Sequence, residues 1–305
     1  MKANDSPAIM SRPVSIAYTP DSDDAFYYFA LETGRLDSGQ FDCSFRSDHI
    51  MALNGAAREQ RYDVTAISSV AYPELADRYR ILSVGTSVGR GYGPVLVSRR
   101  YASIEALRGR RIGVAGTATT GGFLAKWAGP QSELVEMRFD LIADAVAAGE
   151  LDAGVMIHEE LLYYPRKGLR QVADLGAVWC ERTGLPLPVG LNCISRRFDL
   201  DQSDDMCDLI RGSLVYALEH REAALRWACR FGRGDQGGCG EKHISMFANA
   251  DSVHMPRDVR TALALLFQWM RKLGVSDHLP PIEIVDGSLR AGKRALAKVE
   301  SHALV

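Results

Sequence analysis

The chain has 305 residues, about twice the length of a usual single domain, so two domains or one large one are expected. Hydrophobic residues make up 47% and charged residues 24% of the chain, the composition of an ordinary soluble protein, and the formal net charge is −2. Because neither charge sign forms a long run, we expect neither nucleic acid nor an anionic membrane surface as a partner. The start shows no secretory signal pattern and no stretch approaches a spanning helix, which predicts a cytoplasmic protein.

The cysteines are scattered and form no C-x-x-C pair, which favours buried thiols over a disulfide framework or a zinc site. They are Cys43, Cys180, Cys193, Cys207, Cys229 and Cys239. We therefore predict no structural metal.

Strand and helix patterns alternate along the chain, which predicts an α/β fold. In chain order, strands are predicted over residues 14–19, 41–46 and 62–67, with helices over 25–33 and 49–59 between them. Two extended segments, 80–88 and 92–98, flank Gly89-Arg-Gly91, where we expect a hinge. A second series follows, with strands at 111–115, 134–139 and 153–157 and helices at 119–127 and 141–148.

The remaining residues are predicted to return to the first unit through a crossing strand at 191–195 and to end mainly in helices. These helices are predicted over 204–219, 221–231 and 256–273. The organisation is two α/β lobes joined by two crossings, with a cleft between them. The first lobe is assigned to residues 1–96 and 196–305 and the second to residues 97–195.

Polar clusters follow several predicted strands, where ligands gather in open α/β sheets. The turn Gly116-Thr-Ala-Thr-Thr-Gly-Gly122 follows a strand and opens a helix, so its free N–H groups and its threonine hydroxyls predict an anion site. Thr117, Thr119 and Thr120 are the candidate ligands. The alternative is that one threonine caps the helix and the others are solvated.

His158 lies just past a predicted apolar strand and is the best candidate for a general base, provided that it is neutral at rest. The alternative is a hydrogen-bonded structural histidine. The sequence His-Glu-Glu-Leu-Leu lacks the second histidine of a zinc protease motif.

The acidic turn Asp21-Ser-Asp-Asp24 allows a cation site, but it lacks the glycine and the distal glutamate of a calcium loop, and helix capping is the simpler interpretation. Ser68 and Ser69 have no base beside them in the sequence, so we expect them to hydrogen-bond a ligand rather than to act as nucleophiles.

Several motifs together resemble those of the menaquinone-biosynthesis proteins of the futalosine route, specifically their 1,4-dihydroxy-6-naphthoate synthase branch. The most specific are Asp152-Ala-Gly-Val-Met-Ile-His-Glu159 and Gly184-Leu-Pro-Leu-Pro-Val-Gly-Leu-Asn192. Looser matches are Asp63-Val-Thr-Ala-Ile-Ser68, the run from Gly89 to Val97 that contains Tyr92, and the turn from Gly116 to Gly121.

The resemblance implies a two-lobed periplasmic-binding-protein-like (type II) fold and a cofactor-free lyase reaction. In that reaction cyclic dehypoxanthinylfutalosine becomes 1,4-dihydroxy-6-naphthoate, and His158 takes a proton from the sugar portion. Binding of the small aromatic carboxylate substrate is assigned to residues that match the family or lie beside its motifs. They are Thr117, Thr119, Thr120, Ser68, Ser69, Asp24, Asn192 and Tyr92.

The first turn departs from this family pattern. The branch usually carries Ser-Pro-Cys-Pro-Asn-Asp-Thr, whereas this chain has Thr19-Pro-Asp-Ser-Asp-Asp-Ala25. An extra acid at the cleft mouth would disfavour an anionic ligand. Two alternatives to the synthase therefore stay open: a diverged enzyme for another aromatic carboxylate, and a solute-binding protein. The apolar segment over 261–273 is either buried in the first lobe or part of a homodimer contact.

Overall fold

A computed structural model describes residues 11–129, 131–232 and 239–288 of the chain. The strands in these residues are β1 (Arg12–Tyr18), β2 (Phe41–Ser47), β3 (Val64–Ser68), β4 (Tyr79–Leu82), β5 (Ser87–Gly89), β6 (Val95–Ser98), β7 (Arg111–Val114), β8 (Glu133–Glu136), β9 (Ala153–Met156), β10 (Arg170–Asp174), β11 (Leu187–Ser195) and β12 (Ile284–Val285). The α-helices are α1 (Ser22–Glu32), α2 (Ile50–Arg58), α3 (Thr120–Ala128), α4 (Phe139–Ala148), α5 (Glu160–Tyr163), α6 (Leu175–Thr183), α7 (Leu200–Glu219), α8 (Arg221–Ala228), α9 (Cys239–Phe247), α10 (Ala250–Val253) and α11 (Arg257–Lys272). Short 3-10 helices cover Ser69–Glu74, Glu105–Leu107 and Tyr164–Lys167.

The strands form two separate sheets, which confirms the two-lobed α/β architecture. The first sheet has the order β12-β4-β11-β3-β1-β2, with β5 paired to β11, and the second has the order β10-β6-β9-β7-β8. In the first sheet β1 is parallel to β2 and β3, and in the second β7 is parallel to β8 and β9. The carboxyl ends of these parallel strands carry the turns that the sequence analysis singled out.

Two chain crossings join the lobes. The first runs from β5 to β6 through Gly89-Arg-Gly91, the predicted hinge, and the second runs from α6 into β11. Strand β11 pairs with β3, β4 and β5 of the first sheet, and β6 pairs with β9 and β10 of the second. Strand pairing therefore assigns residues 187–195 to the first lobe and β6, from Val95, to the second. The division at 96/97 and 195/196 stays a prediction.

Several elements begin earlier than predicted, and others were not predicted. Helix α1 begins at Ser22 rather than at residue 25, because Asp23 and Asp24 are favourable in a first helical turn. Helix α7 begins at Leu200, where Asp199 and Gln202 form a capping box, so Asp204 is not its start. The elements β10, α6, α9 and α10 were not predicted, and of these β10 and α10 are too short for a clear apolar periodicity.

Helix α1 is buried from Ser22 to Leu31 and contacts α7, α8 and α9. Its apolar side chains account for this burial, since Phe26, Tyr27 and Phe29 are all almost fully inaccessible to solvent. The acidic turn at its start is therefore held inside the molecule.

Helix α11 buries one stripe of apolar side chains, among them Leu263, Leu266 and Phe267. The Phe267 ring stacks on Tyr72 of the first lobe with 5.9 Å between the ring centroids. Of the two alternatives for this helix, the structure shows burial within the first lobe. A homodimer contact stays a prediction. In the described ranges no helix is both long and apolar enough to cross a membrane.

The cysteines that the structure describes carry free thiols. They are Cys43, Cys180, Cys193, Cys207 and Cys229, whereas the side chain of Cys239 lies outside the described part. The start of the chain, on which the prediction of no secretory signal rests, also lies outside the described residues.

Candidate active site

A cleft with about 710 Å³ of empty space, partly open to solvent, lies between the lobes. Both lobes line it: Asp24 and Ser68 come from the first, and Thr119, Thr120 and His158 from the second. Side chains that follow β1, β3, β7 and β9 thus meet at one site. Neighbouring apolar side chains cover much of its remaining wall, namely Ile50, Ile67, Leu161, Val189, Leu191 and Phe247.

His158 follows β9 with a backbone φ of 55°. Few non-glycine residues adopt this left-handed conformation, and it turns the chain sharply at the cleft. Its Nδ1 forms an ion pair with the carboxylate of Asp21, and its ring packs edge-on against Phe139 with 4.7 Å between centroids. The ring is held from two sides, and the side chain stays 16% exposed.

Asp21 occupies the N-cap position of α1, but its side chain makes no capping hydrogen bond. Its carboxylate is 7% exposed and faces His158. The sequence predicts helix capping by this turn and an acid at the cleft mouth. Both expectations are wrong for Asp21, because burial of α1 carries the carboxylate inward to the imidazole.

The two partners shift each other's proton affinities. Burial would lower the pKa of His158, but the charge and hydrogen bond of Asp21 outweigh burial and raise it. Burial would likewise raise the pKa of Asp21, but His158 outweighs burial and lowers it. Both shifts favour the form of the pair in which His158 is an imidazolium and Asp21 a carboxylate. For His158 to act as a base, this pair must first release its proton.

The other two acids of the turn hold protons more tightly than ordinary carboxyls. Burial, and next the charge of Asp21, raise the pKa of Asp23 to about 7. Burial, and next the charge of Asp23, raise the pKa of Asp24 to about 7, although Asp24 accepts hydrogen bonds from the N–H and hydroxyl of Thr19 at 2.9 and 2.6 Å. This wall can therefore donate hydrogen bonds at neutral pH.

His243 of α9 also lines the cleft. Its Nδ1 lies 3.4 Å from a carboxylate oxygen of Asp23, and burial lowers its pKa to about 4. It is therefore neutral near pH 7. The sequence analysis missed this histidine, because the fold brings it to Asp23 from about 220 positions away along the chain.

The threonines of the turn before α3 have different roles in capping the helix and in lining the cleft. Thr119 caps α3: its hydroxyl accepts from the N–H of Gly122 at 3.1 Å and donates to the carbonyl of Gly116 at 2.7 Å. The Thr120 hydroxyl donates to the carbonyl of Val189 at 2.6 Å, and both threonines line the cleft. Thr117 is exposed, and its N–H and hydroxyl both donate to Glu136. The structure therefore keeps Thr117 away from the cleft.

The other predicted binding residues lie at different depths. Ser68 lines the cleft, where its hydroxyl accepts from Asn54 at 3.2 Å. Ser69 is buried behind the lining. The Asn192 amide donates to the carbonyl of Gly85 at 3.3 Å behind the wall, and the Tyr92 hydroxyl donates to the carbonyl of Met246. These last three side chains are thus not part of the cleft surface.

In the described part of the chain, no group of three or more histidine, cysteine or acidic side chains is arranged to hold a metal ion.

Comparison with known proteins gives consistent results. A family model described as menaquinone biosynthesis matches residues 14–272. A 1,4-dihydroxy-6-naphthoate synthase of Thermus thermophilus is 36% identical over 267 residues, which cover 87% of this chain and 96% of the relative. A protein of the same name from Streptomyces coelicolor is 30% identical over 275 residues, which cover 88% of this chain and 96% of the relative.

Solved structures agree on the fold. Protein AF1704 from Archaeoglobus fulgidus superposes with a TM-score of 0.82 and 39% identity, covering 87% of this chain and 98% of that protein. The alkanesulfonate-binding protein SsuA from Xanthomonas axonopodis, bound to MOPS, superposes with a TM-score of 0.67 at 12% identity, covering 91% and 98%. The second similarity identifies a periplasmic-binding-protein-like fold and nothing more.

Proposed function

Because this chain belongs to the menaquinone-biosynthesis family, we propose that it is a 1,4-dihydroxy-6-naphthoate synthase that converts cyclic dehypoxanthinylfutalosine to 1,4-dihydroxy-6-naphthoate. Relatives that carry this enzyme name cover nearly the whole chain, so the proposal does not depend on one shared domain. The observation that carries it is the position of His158, the candidate base, in the interlobe cleft, where it follows β9 while the start of α3 follows the neighbouring strand β7.

His158 is the proposed general base of a cofactor-independent elimination. Its Nδ1 faces Asp21, so the other ring nitrogen, Nε2, takes the proton from a C–H bond of the sugar portion. The electron pair of that bond forms the new double bond and expels the leaving group. The proton then rests on an imidazole that Asp21 stabilises as the cation.

The substrate carboxylate is proposed to lie against the start of α3. The first-turn N–H groups of Thr120 and Gly121 have no partner within the helix and lie at its positive end, and both residues line the cleft. The positive end of α3 orients an aromatic carboxylate with its charge toward α3 and its sugar portion toward His158.

The rest of the cleft suits an aromatic ring system. Ile50, Leu161 and Phe247 offer apolar surface to a planar ligand. Closure of two lobes around the substrate would exclude water from a carbanion-like transition state.

The test is incubation of the purified protein with cyclic dehypoxanthinylfutalosine, with dihydroxynaphthoate followed by chromatography. We expect turnover by the wild type and a loss of at least about 100-fold in His158→Ala, since a general base contributes roughly 10²–10⁴-fold. His278→Ala is the matched control, because His278 is exposed and lies outside the cleft.

Failure of the wild type to form product would reject the synthase proposal. Tight binding of an aromatic carboxylate without turnover would support the solute-binding alternative instead. Turnover of another aromatic carboxylate would identify a diverged enzyme. A cytoplasmic location stays a prediction alongside this proposal.

A further inference from the structure

We propose that Asp21 is the positioning residue of the reaction: carried by the first lobe, it engages His158 of the second lobe when the lobes close, and so completes the base. This inference rests on the proposed function and deepens it. It assigns a role to a residue at which this chain departs from the usual first turn of its family, where a cysteine is typical.

The pair crosses the cleft. Asp21 stands between β1 and α1 of the first lobe, and His158 follows β9 of the second. Their contact therefore exists only while the two lobes are together. Separation of the lobes would leave the imidazole without its carboxylate partner.

Other contacts at the same cleft indicate that the structure is the closed form. The Asn54 amide of the first lobe donates to the carbonyl of Ala118 in the second at 3.4 Å. The hydroxyl of Thr120 in the second lobe donates to the carbonyl of Val189 in β11 of the first sheet at 2.6 Å. The contact between Asp21 and His158 belongs to this set. Unlike the other two contacts, it joins two titratable side chains.

The local geometry leaves the Asp21 carboxylate free of its helix and places the imidazole of His158 against it. As an N-cap residue it would ordinarily accept a hydrogen bond from the first turn of its helix, yet its carboxylate makes no such bond. The left-handed backbone at His158 and the Phe139 ring hold the imidazole against it.

Other ionisable groups also surround His158. Asp23 and Asp24 face it from α1, His243 comes from α9, and Glu159 and Glu160 follow it in the chain. Asp23 and Asp24 each have a pKa of about 7, so both are partly protonated near neutral pH, and His243 is neutral. Asp21, at the N-cap of α1, is therefore the ionised carboxylate that contacts the ring.

A carboxylate at Nδ1 performs two tasks for a histidine base. It accepts the Nδ1 proton, which leaves Nε2 free to receive a proton from the substrate, and it stabilises the imidazolium formed in that step. Because this contact spans both lobes, the base is complete only while the lobes are closed, as they are in this structure.

The experiment compares the wild type with Asp21→Asn, which keeps the size and a hydrogen-bond acceptor but removes the charge. We expect kcat to fall about 100-fold or more with KM changed less than about threefold, as for loss of an interaction made in the transition state. The ascending limb of the pH–rate profile should move to lower pH, because Asp21 holds the proton on His158. Asp42→Asn, a change of an exposed carboxylate on β2, is the control and should match the wild type.

A second readout needs no turnover. Nitrogen-15 NMR of the histidine rings in substrate-free protein should show His158 titrating at lower pH in Asp21→Asn than in the wild type. An unchanged titration together with an unchanged pH profile would overturn the role of Asp21. An inactive wild type with a shifted titration would reject the synthase proposal while the pairing stands, so the two failures are distinguishable.

Discussion

At the scale of single residues, burial decides what each acid of the first turn does. Asp21, Asp23 and Asp24 lie within four residues and each is at most 7% exposed, but of the three it is Asp21 that pairs with His158. Because burial, and next the neighbouring carboxylate charges, disfavour ionisation, the pKa of Asp23 and that of Asp24 are each raised to about 7. One four-residue turn thus supplies a carboxylate partner for His158 and two carboxyl groups that are partly protonated near pH 7.

Asp23 should make the folded state less stable as the pH rises. Its folded pKa of about 7 lies above its ordinary value of 3.8, so the native state binds the proton more tightly than the unfolded state. The free energy of unfolding should therefore fall between about pH 4 and pH 7, and Asp23→Asn should flatten that decline. Urea unfolding at pH 5, 6, 7 and 8 measures this, with Asp42→Asn as an exposed control. Equal slopes in the wild type and Asp23→Asn would contradict the prediction.

At the scale of elements, the start of α3 has its helix cap and its proposed binding groups on different atoms. The Thr119 hydroxyl is fully used within the turn, where it caps the helix and bonds to Gly116. The backbone N–H groups of Thr120 and Gly121 are those proposed above to bind a substrate carboxylate. The two alternatives weighed for this turn, capping and anion binding, are thus both compatible with its structure, but they belong to different atoms.

Thr119→Ala should destabilise the fold by about 1 kcal/mol, with a range of roughly 0.5–2, because an N-cap hydroxyl is lost. Thr119→Ser keeps the hydroxyl and should recover most of this loss. Denaturant unfolding of both variants measures the effect. Equal stability of the alanine and serine variants would show that the hydroxyl is not a significant cap.

At the scale of the whole molecule, an ion-pair network anchors the first crossing. Arg90, between β5 and β6, donates to Asp251 at 2.7 and 2.8 Å and to Asp258 at 2.7 Å. The carboxylates belong to α10 and α11, so the arginine fastens the predicted hinge segment to the first lobe. Any movement of the second lobe must then occur beyond this anchor.

Replacement of the anchor, Arg90→Met, should lower the free energy of unfolding by about 1 kcal/mol. The arginine side chain is 45% exposed, so screening keeps the effect small, and it should shrink further in high salt. Urea unfolding at low and high sodium chloride measures both. Arg58→Met, which removes the isolated surface pair with Glu74, is the control and should cost less. A larger loss for the control would show that the network is not an anchor.

The sequence predicted much of the fold. The alternation of strands and helices and the position of the first crossing were correct, because apolar periodicity and glycine-rich turns are local signals. The short elements β10 and α10 escaped for the same reason, since a few residues carry little periodicity.

The candidate site was predictable only in part. His158, Thr119, Thr120, Ser68 and Asp24 were named from the sequence, and the structure brings all five to one cleft. Thr117, Ser69, Asn192 and Tyr92 were named too but do not line it, because side-chain direction depends on packing. Asp21 as the histidine's partner, and His243, were not predicted.

The sequence by itself therefore determined the α/β class, the turns at strand ends and the family, since these depend on neighbouring residues and on motifs that can be read in order. Only the tertiary structure decided which ionisable groups contact one another and how those contacts shift their pKa values. That outcome depends on burial and on distances of a few ångströms between residues such as Asp21 and His158, which lie 137 positions apart in the chain. Electrostatic energy varies with position and solvent exclusion, and neither quantity exists until the two lobes are folded and closed.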